Sequence, residues 1–240
     1  MADQLNETKV PNRPPAVVVR LPGLNFSCSG LFALLPIGFV LALIIFAVYL
    51  ISRTTQTLLW VSAILWILFI GYWSAAAGQA GAIRTAETPR SRQIHQLLMY
   101  GALVFAFVRF PGLTLRWLPK NSWIIAAGFV IQISSAILAI FARKHLGRNW
   151  SAEIASKVDH QLIKTGPYRL IRHPIYTGML GMFAGTAFVS GELHALVGVA
   201  MISVAYLRKI RLEEQNLRNV FGTKYDEYRK NSWALIPFLI

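Results

Sequence analysis

The sequence holds a single cysteine, Cys28, in 240 residues, which excludes an internal disulfide framework and any multi-cysteine metal site. Charge is scarce too. Only 14% of residues are charged against 55% hydrophobic, a balance outside that of ordinary soluble domains. Acidic residues are the rarer sign, with 10 Asp and Glu against 24 Lys and Arg, a formal net charge of +14. No G-x-G-x-x-G turn follows a strand pattern, so nothing points to a Rossmann-type nucleotide site. His95, His145 and His194 are scattered, and no metal site is expected. The first 29 residues are polar and contain proline, without an apolar run ahead of a cleavage site. They read as a polar tail, and no removable signal peptide is expected.

What the chain has in abundance is long apolar runs. Crossing a hydrocarbon core takes roughly 20 mostly apolar helical residues. The windows 31–51, 58–78 and 123–142 contain no charged residue, and a shorter one, 96–108, ends at Arg109 and Pro111. The run 175–207 is too long for one crossing, since a helix of that length would reach roughly 50 Å. Ser190, Gly191 and Glu192 supply turn chemistry at its middle, so it reads as a helical hairpin. The fold class expected is an all-α integral membrane bundle of about six spans.

The basic residues test that count. With the N-terminus inside, successive inner segments hold three, three, seven and seven Lys and Arg, and the outer segments share the other four. This distribution fits the positive-inside rule with both termini cytoplasmic, and a five-span arrangement would place one cluster outside. Because the basic residues flank span ends, the net charge reads as membrane orientation, and no nucleic-acid partner is expected.

The chain then divides into a tail (1–29), scaffold helices (30–142) and a chemically dense region (143–240) made of a loop, the hairpin and an amphipathic C-terminal helix lying on the membrane surface. In the dense region, Gly166 and Pro167 make a turn, and Pro174 suits the first position of a helix, which places His173 at its cap. Free backbone N–H groups at that helix start, with Arg169, Arg172 and His173 nearby, would suit an anion. Tyr168 and Tyr176 add flat apolar faces. A plainer reading makes the arginines topological markers and His173 only a cap. Further on, Glu213 and Glu214 lie close to where the last span ends, and a carboxylate there is costly unless it is paired or binds something. Their plainer reading is a surface ion pair with Arg211 or Arg218. Gly178, Gly181 and Gly185 form a small-residue stripe expected to allow close packing within the hairpin. Trp60, Trp73 and Trp117 read as interfacial anchors.

Taken together, His160, then Gly166-Pro167-Tyr168, then Arg172-His173-Pro174-x-Tyr176-x-Gly178, and finally Glu213-Glu214-x-x-Leu217-x-x-x-Phe221-Gly222-x-x-Tyr225-x-x-Tyr228 form an ordered pattern. It resembles the isoprenylcysteine carboxyl methyltransferase and phospholipid methyltransferase superfamily over roughly residues 140 to 235. The resemblance implies S-adenosylmethionine as cofactor, bound on the cytoplasmic side by Gln161, Leu162, Gly166, Tyr168, His173, Tyr176 and Leu180, with Glu213 or Glu214 at its ribose or sulfonium. It implies a catalytic group drawn from Glu213, Glu214, Arg208 and Arg211, the two arginines holding the substrate.

The expected activity is methyl transfer to an amphiphilic or lipid-like acceptor, with O-methylation of a prenylcysteine-type carboxylate favoured. Alternatives are N-methylation of a phospholipid amine, an NADPH enzyme of the sterol reductase kind, and a membrane binding protein without catalysis. A bacterial inner membrane is favoured over an endomembrane, and oligomeric state is left open.

Overall fold

The computed structural model describes residues 57–76, 83–151, 154–157 and 161–237. Contacts divide the chain into Met1–Phe39 and Val40–Ile240, and the described residues all belong to the second unit. The polar tail, Cys28, the window 31–51 and His160 lie outside them.

The described residues are mostly helical. Helices α1 (Thr57–Ala75), α2 (Pro89–Phe107), α3 (Ser122–Leu146), α4 (Pro174–Ser190), α5 (Leu193–Phe221) and α6 (Thr223–Lys230) follow one another, with two short strands, β1 (Ile83–Ala86) and β2 (Ala155–Lys157). Among them, α1, α3 and α5 are long and apolar enough to cross a membrane. The strands add to the all-α expectation: they pair antiparallel and tie the long loop after α3 to the one after α1. Glu87 N–H extends the ladder by donating to the Ile154 carbonyl at 2.9 Å.

Helix boundaries follow local chemistry. Thr88 caps α2 by accepting from Ser91 N–H at 3.4 Å, with Pro89 at the first helical position. Asn121 caps α3 by accepting from Trp123 N–H at 2.8 Å. The expected hairpin is present, turning at Gly191, whose φ of +64° lies where glycine is favoured. Glu192 beside it is buried, bound by Arg109 through Nε at 2.8 Å and Nη2 at 2.9 Å. A buried carboxylate needs such a partner, and the bidentate fork supplies it.

Two expectations are corrected. The glycine stripe does not pack within the hairpin but against α3: a Cβ at Gly178 would lie 2.6 Å from the Ser135 carbonyl oxygen, and one at Gly185 2.6 Å from that of Gly128. Small residues are needed there because two helix backbones approach directly. The hairpin's second helix also does not stop near Leu207. No proline or glycine interrupts the chain between Gly198 and Gly222, so α5 runs unbroken for 29 residues, about 43 Å. Glu213, Glu214 and Leu217 therefore ride on the extension of a spanning helix, and only the short α6 follows the break at Gly222, where φ is +54°.

The core lies where α1 to α5 meet, around Trp66, Phe69, Leu103, Ala139, Met182, Phe183 and Ile202. A buried polar network crosses it: Ser62 Oγ donates to Gln132 Oε1 at 3.0 Å, and Trp66 Nε1 donates to Thr186 Oγ1 at 3.0 Å. Each side chain of this network thus has a partner within the bundle, as an apolar surrounding demands.

Candidate active site

The opening turn of the site, Gly166 to Arg169, is a single 3-10 turn with Gly166 at a φ of +59°. A Cβ at this position would also lie 2.7 Å from the His145 ring, so close approach as well as backbone shape requires glycine. His145 Nε2 lies 2.8 Å from Thr165 Oγ1, and its ring stacks on Tyr168 at a centroid distance of 6.4 Å. The turn is thereby fastened to the last turn of α3.

His173 stands at the N-cap of α4 and Pro174 at its first position, as the sequence indicated. The imidazole makes no capping bond. It is 4% exposed and turned toward α5, with Nε2 3.4 Å from Glu214 Oε1 and Nδ1 3.7 Å from Glu213 Oε2. Backbone pairing sets this orientation. Arg172 N–H donates to the Trp233 carbonyl at 2.7 Å and His173 N–H to that of Ala234 at 3.0 Å, so the C-terminal segment runs alongside and pins the strip.

Arg172 Nε donates to Glu214 Oε1 at 2.8 Å, and its Nη1 donates to the carbonyls of Arg229, at 3.2 Å, and Ser232. Arg229 Nε approaches Glu214 Oε2 at 3.4 Å. Two guanidinium groups and an imidazole therefore surround one carboxylate. This changes the expectation of an open anion site at the start of α4, because the chain's own Glu214 occupies Arg172 and His173. The surface-pair reading of the glutamates fails as well. Arg218 pairs with Asp226 at 3.2 Å, and Arg211 is exposed, with no hydrogen bond or ion pair among the described residues.

Glu213 is placed differently. Its Oε2 accepts the Tyr176 hydroxyl at 2.7 Å, while the side chain stays 33% exposed. One carboxylate oxygen is fixed and the group still faces open space. Inward from it runs a row of rings. His173 stacks on Tyr176 at 5.5 Å, Tyr176 on Tyr206 at 4.8 Å, and Tyr206 meets His95 at 5.6 Å. Tyr206, Lys209 and Glu213 share one face of α5, being three and four residues apart. Lys209 is buried, its Nζ 5.8 Å from the Tyr176 ring centroid.

The phenols on the loop side are held protonated. Burial, reinforced by the Glu213 charge, drives Tyr168 well above the ordinary tyrosine range. Burial likewise pushes Tyr228 up to about 12, against the opposing pull of Arg172. Tyr228 accordingly serves as a donor, its hydroxyl bonding the Tyr168 carbonyl at 2.6 Å.

The structure brings Tyr168, His173, Tyr176, Glu213 and Glu214 into one cluster, with Gly166 shaping its edge. Leu162 and Leu180 are half-buried, and Leu180 packs against the main core. Gln161 contributes its backbone N–H to Asn149 Oδ1 at 3.1 Å, its side chain being exposed. Arg208 points elsewhere: Nη2 donates to Ser91 Oγ at 2.9 Å and Nη1 to the Ser91 carbonyl at 3.3 Å, anchoring α5 to the start of α2. Arg208 is thus directed away from Glu213, since helical geometry turns 208 from the face of 206, 209 and 213, and Arg211 makes no ion pair with either carboxylate among the described residues.

Sequence reasoning missed Lys209, whose spacing of four from Glu213 was a usable signal. It also missed the bracket around Arg143, whose guanidinium carbon lies 4.2 Å from the Trp73 centroid and 3.7 Å from that of Trp150. Trp73 is therefore part of an internal cation–π stack, with Arg143 Nη1 donating to its carbonyl at 2.9 Å.

Comparison with known proteins bears on the same region. Residues 126–219 match the model of the isoprenylcysteine carboxyl methyltransferase family. Protein-S-isoprenylcysteine O-methyltransferase B of Arabidopsis thaliana is 30% identical over 135 residues, covering 55% of this chain and 66% of the relative. The protein-S-isoprenylcysteine O-methyltransferase of Schizosaccharomyces pombe is 28% identical over 151 residues, covering 60% and 63%. The chain thus spans just under two thirds of the length of these relatives. Among solved structures, a eukaryotic intramembrane Ras methyltransferase aligns with a TM-score of 0.44 and 22% identity, over 65% of this chain and 55% of that one. The residues matched by the family model include the whole His173, Tyr176, Glu213 and Glu214 cluster, so the similarity of this chain to the isoprenylcysteine carboxyl methyltransferase family falls on the candidate site itself.

Proposed function

We propose that this integral membrane protein transfers a methyl group from S-adenosylmethionine to the carboxylate of a prenylcysteine-type, lipid-modified acceptor at the cytoplasmic membrane face. The observation that carries the reading is the convergence of Glu213 and Glu214 on Tyr176, His173 and Arg172 across 37 to 42 residues of chain. Relatives named as isoprenylcysteine O-methyltransferases support the acceptor class.

The residues fit the cofactor chemically. When bound, S-adenosylmethionine supplies an electrophilic methyl group on a sulfonium cation. Glu213, with one oxygen fixed by Tyr176 and its side chain partly exposed, offers an acceptor for ammonium or ribose hydroxyl groups. The stacked faces of His173 and Tyr176 suit an aromatic base or a cation. Tyr168, kept protonated, can donate but not act as a base.

A carboxylate acceptor is already nucleophilic at neutral pH, so no general base is required. The chain's tasks are alignment and exclusion of water. Lys209, buried one turn bilayer-ward of Glu213, would hold an acceptor carboxylate beside the ring row in place of Arg208 and Arg211. The apolar tail would then extend between helices, where contact with lipid is continuous.

The test is incubation of the purified protein in vesicles with methyl-labelled S-adenosylmethionine and an N-acetylated S-prenylcysteine. The reading predicts label in a base-labile methyl ester. Label found only in phospholipid amines, or in no lipid-like acceptor at all, contradicts it.

A further inference from the structure

Sharing Arg172 with the glutamate cluster, a surface groove of about 640 Å³ is lined by Arg172, Arg229, Lys230, Asp226, Ser232 and Trp233. Its charge is unbalanced. Asp226 is answered by Arg218 at 3.2 Å, and Arg172 is committed to Glu214 and two carbonyls. Arg229 is 46% exposed and only shares Glu214, and Lys230 is exposed and pairs with no carboxylate among the described residues. Two cations therefore face the groove with little internal compensation.

Trp233 lines the groove and is 39% exposed. Leu170, whose carbonyl accepts Trp233 N–H at 2.9 Å, and Ile236, two residues past the lining Ala234, are 62% and 46% exposed. Aromatic and aliphatic side chains next to exposed cations are the composition of a membrane–water boundary.

We infer that this groove binds the phosphate of an anionic membrane phospholipid, held by Arg229 and Lys230, with Trp233 and Ile236 beside its acyl chains. The charge selects an anion, and the apolar side chains select one carrying lipid tails over a free anion. Because Arg229 also touches Glu214, an occupied groove is coupled to the glutamate cluster by a shared cation. The inference stands whether or not the cluster transfers methyl groups.

The experiment follows thermal unfolding of the full chain in a neutral detergent during titration with short-chain phosphatidylglycerol, short-chain phosphatidylcholine, or inorganic phosphate at matched ionic strength. Phosphatidylglycerol is expected to raise the midpoint saturably, and the other two are not. Lys230→Glu is expected to raise the half-saturating concentration about thirtyfold and Lys230→Gln about fivefold, consistent with the attraction each basic residue near anionic lipid contributes. Equal effects of the two lipids would overturn headgroup recognition. An equal effect of inorganic phosphate would make the groove a plain anion site. Wild-type titrations in both Lys230 variants would place any lipid effect elsewhere.

Discussion

The Tyr176 hydroxyl donates to Glu213 Oε2 across 2.7 Å, joining the first turns of α4 to the far end of α5. The bond fixes one carboxylate oxygen while the group remains open to a ligand. Tyr176→Phe should therefore leave the fold intact, at a cost of about 0.5–1.5 kcal/mol for one hydrogen bond. Methyl transfer should fall by more than tenfold, because an unfixed carboxylate no longer aligns what it binds. Steady-state kinetics beside a thermal unfolding curve checks both halves.

The neighbouring glutamates should separate by phenotype. Glu214 is 13% exposed and holds Arg172, itself 9% exposed. Glu214→Gln leaves that part-buried guanidinium without a counter-charge, a loss of about 1–3 kcal/mol because two backbone carbonyls still accept from it. Glu213→Gln should reduce turnover with little change in stability. Chemical denaturation of both variants decides it: equal destabilisation would place the two carboxylates in the same structural role.

The seam between α3 and α4 should tolerate no added methyl group. Gly178→Ala puts a Cβ 2.6 Å from a backbone oxygen that has no rotamer to change. Destabilisation of about 1–3 kcal/mol is expected, as for other overpacked contacts. Gly71→Ala, with open space at the same construction, serves as the control in the same unfolding assay.

Much of this was legible beforehand because the deciding signals are local. Gly191 and its polar neighbours announced the hairpin turn, Pro174 the start of α4, and the order of Arg172-His173-Pro174 and Glu213-Glu214 the paired halves of the site. What was not legible depends on which helix faces which. Nothing local indicates that the glycine stripe meets α3 and not its hairpin partner. The continuation of α5 past Leu207 was hidden because charged residues suggested an exit from the bilayer, although Lys, Arg, Glu and Gln are good helix formers. Arg208 and Arg211 carried the expected chemistry, and only helical phase shows that Lys209 is the basic residue of α5 that lies over the Tyr176 ring.

Alkaline pH should loosen the region around α6. Tyr228 has a folded value pushed up to about 12, above its ordinary value of about 10. The folded state then binds more protons than the unfolded one between these values, so the stabilisation is complete below pH of about 10 and is lost as pH rises through about 12. Unfolding midpoints measured from pH 8 to 11 should begin to fall near the upper end. In Tyr228→Phe that decline should be shallower.

The central claim is that His173, Tyr176 and Glu213 form one cofactor site. Calorimetric titration of S-adenosylhomocysteine, the demethylated product, into the purified protein tests it without requiring an acceptor. Wild type and the exposed-arginine control Arg211→Ala should bind alike, whereas Glu213→Gln and His173→Ala should each weaken binding by about tenfold or more, the loss of a charged or cluster-forming contact. Unchanged affinity in both Glu213→Gln and His173→Ala, with their folds intact, would contradict the account.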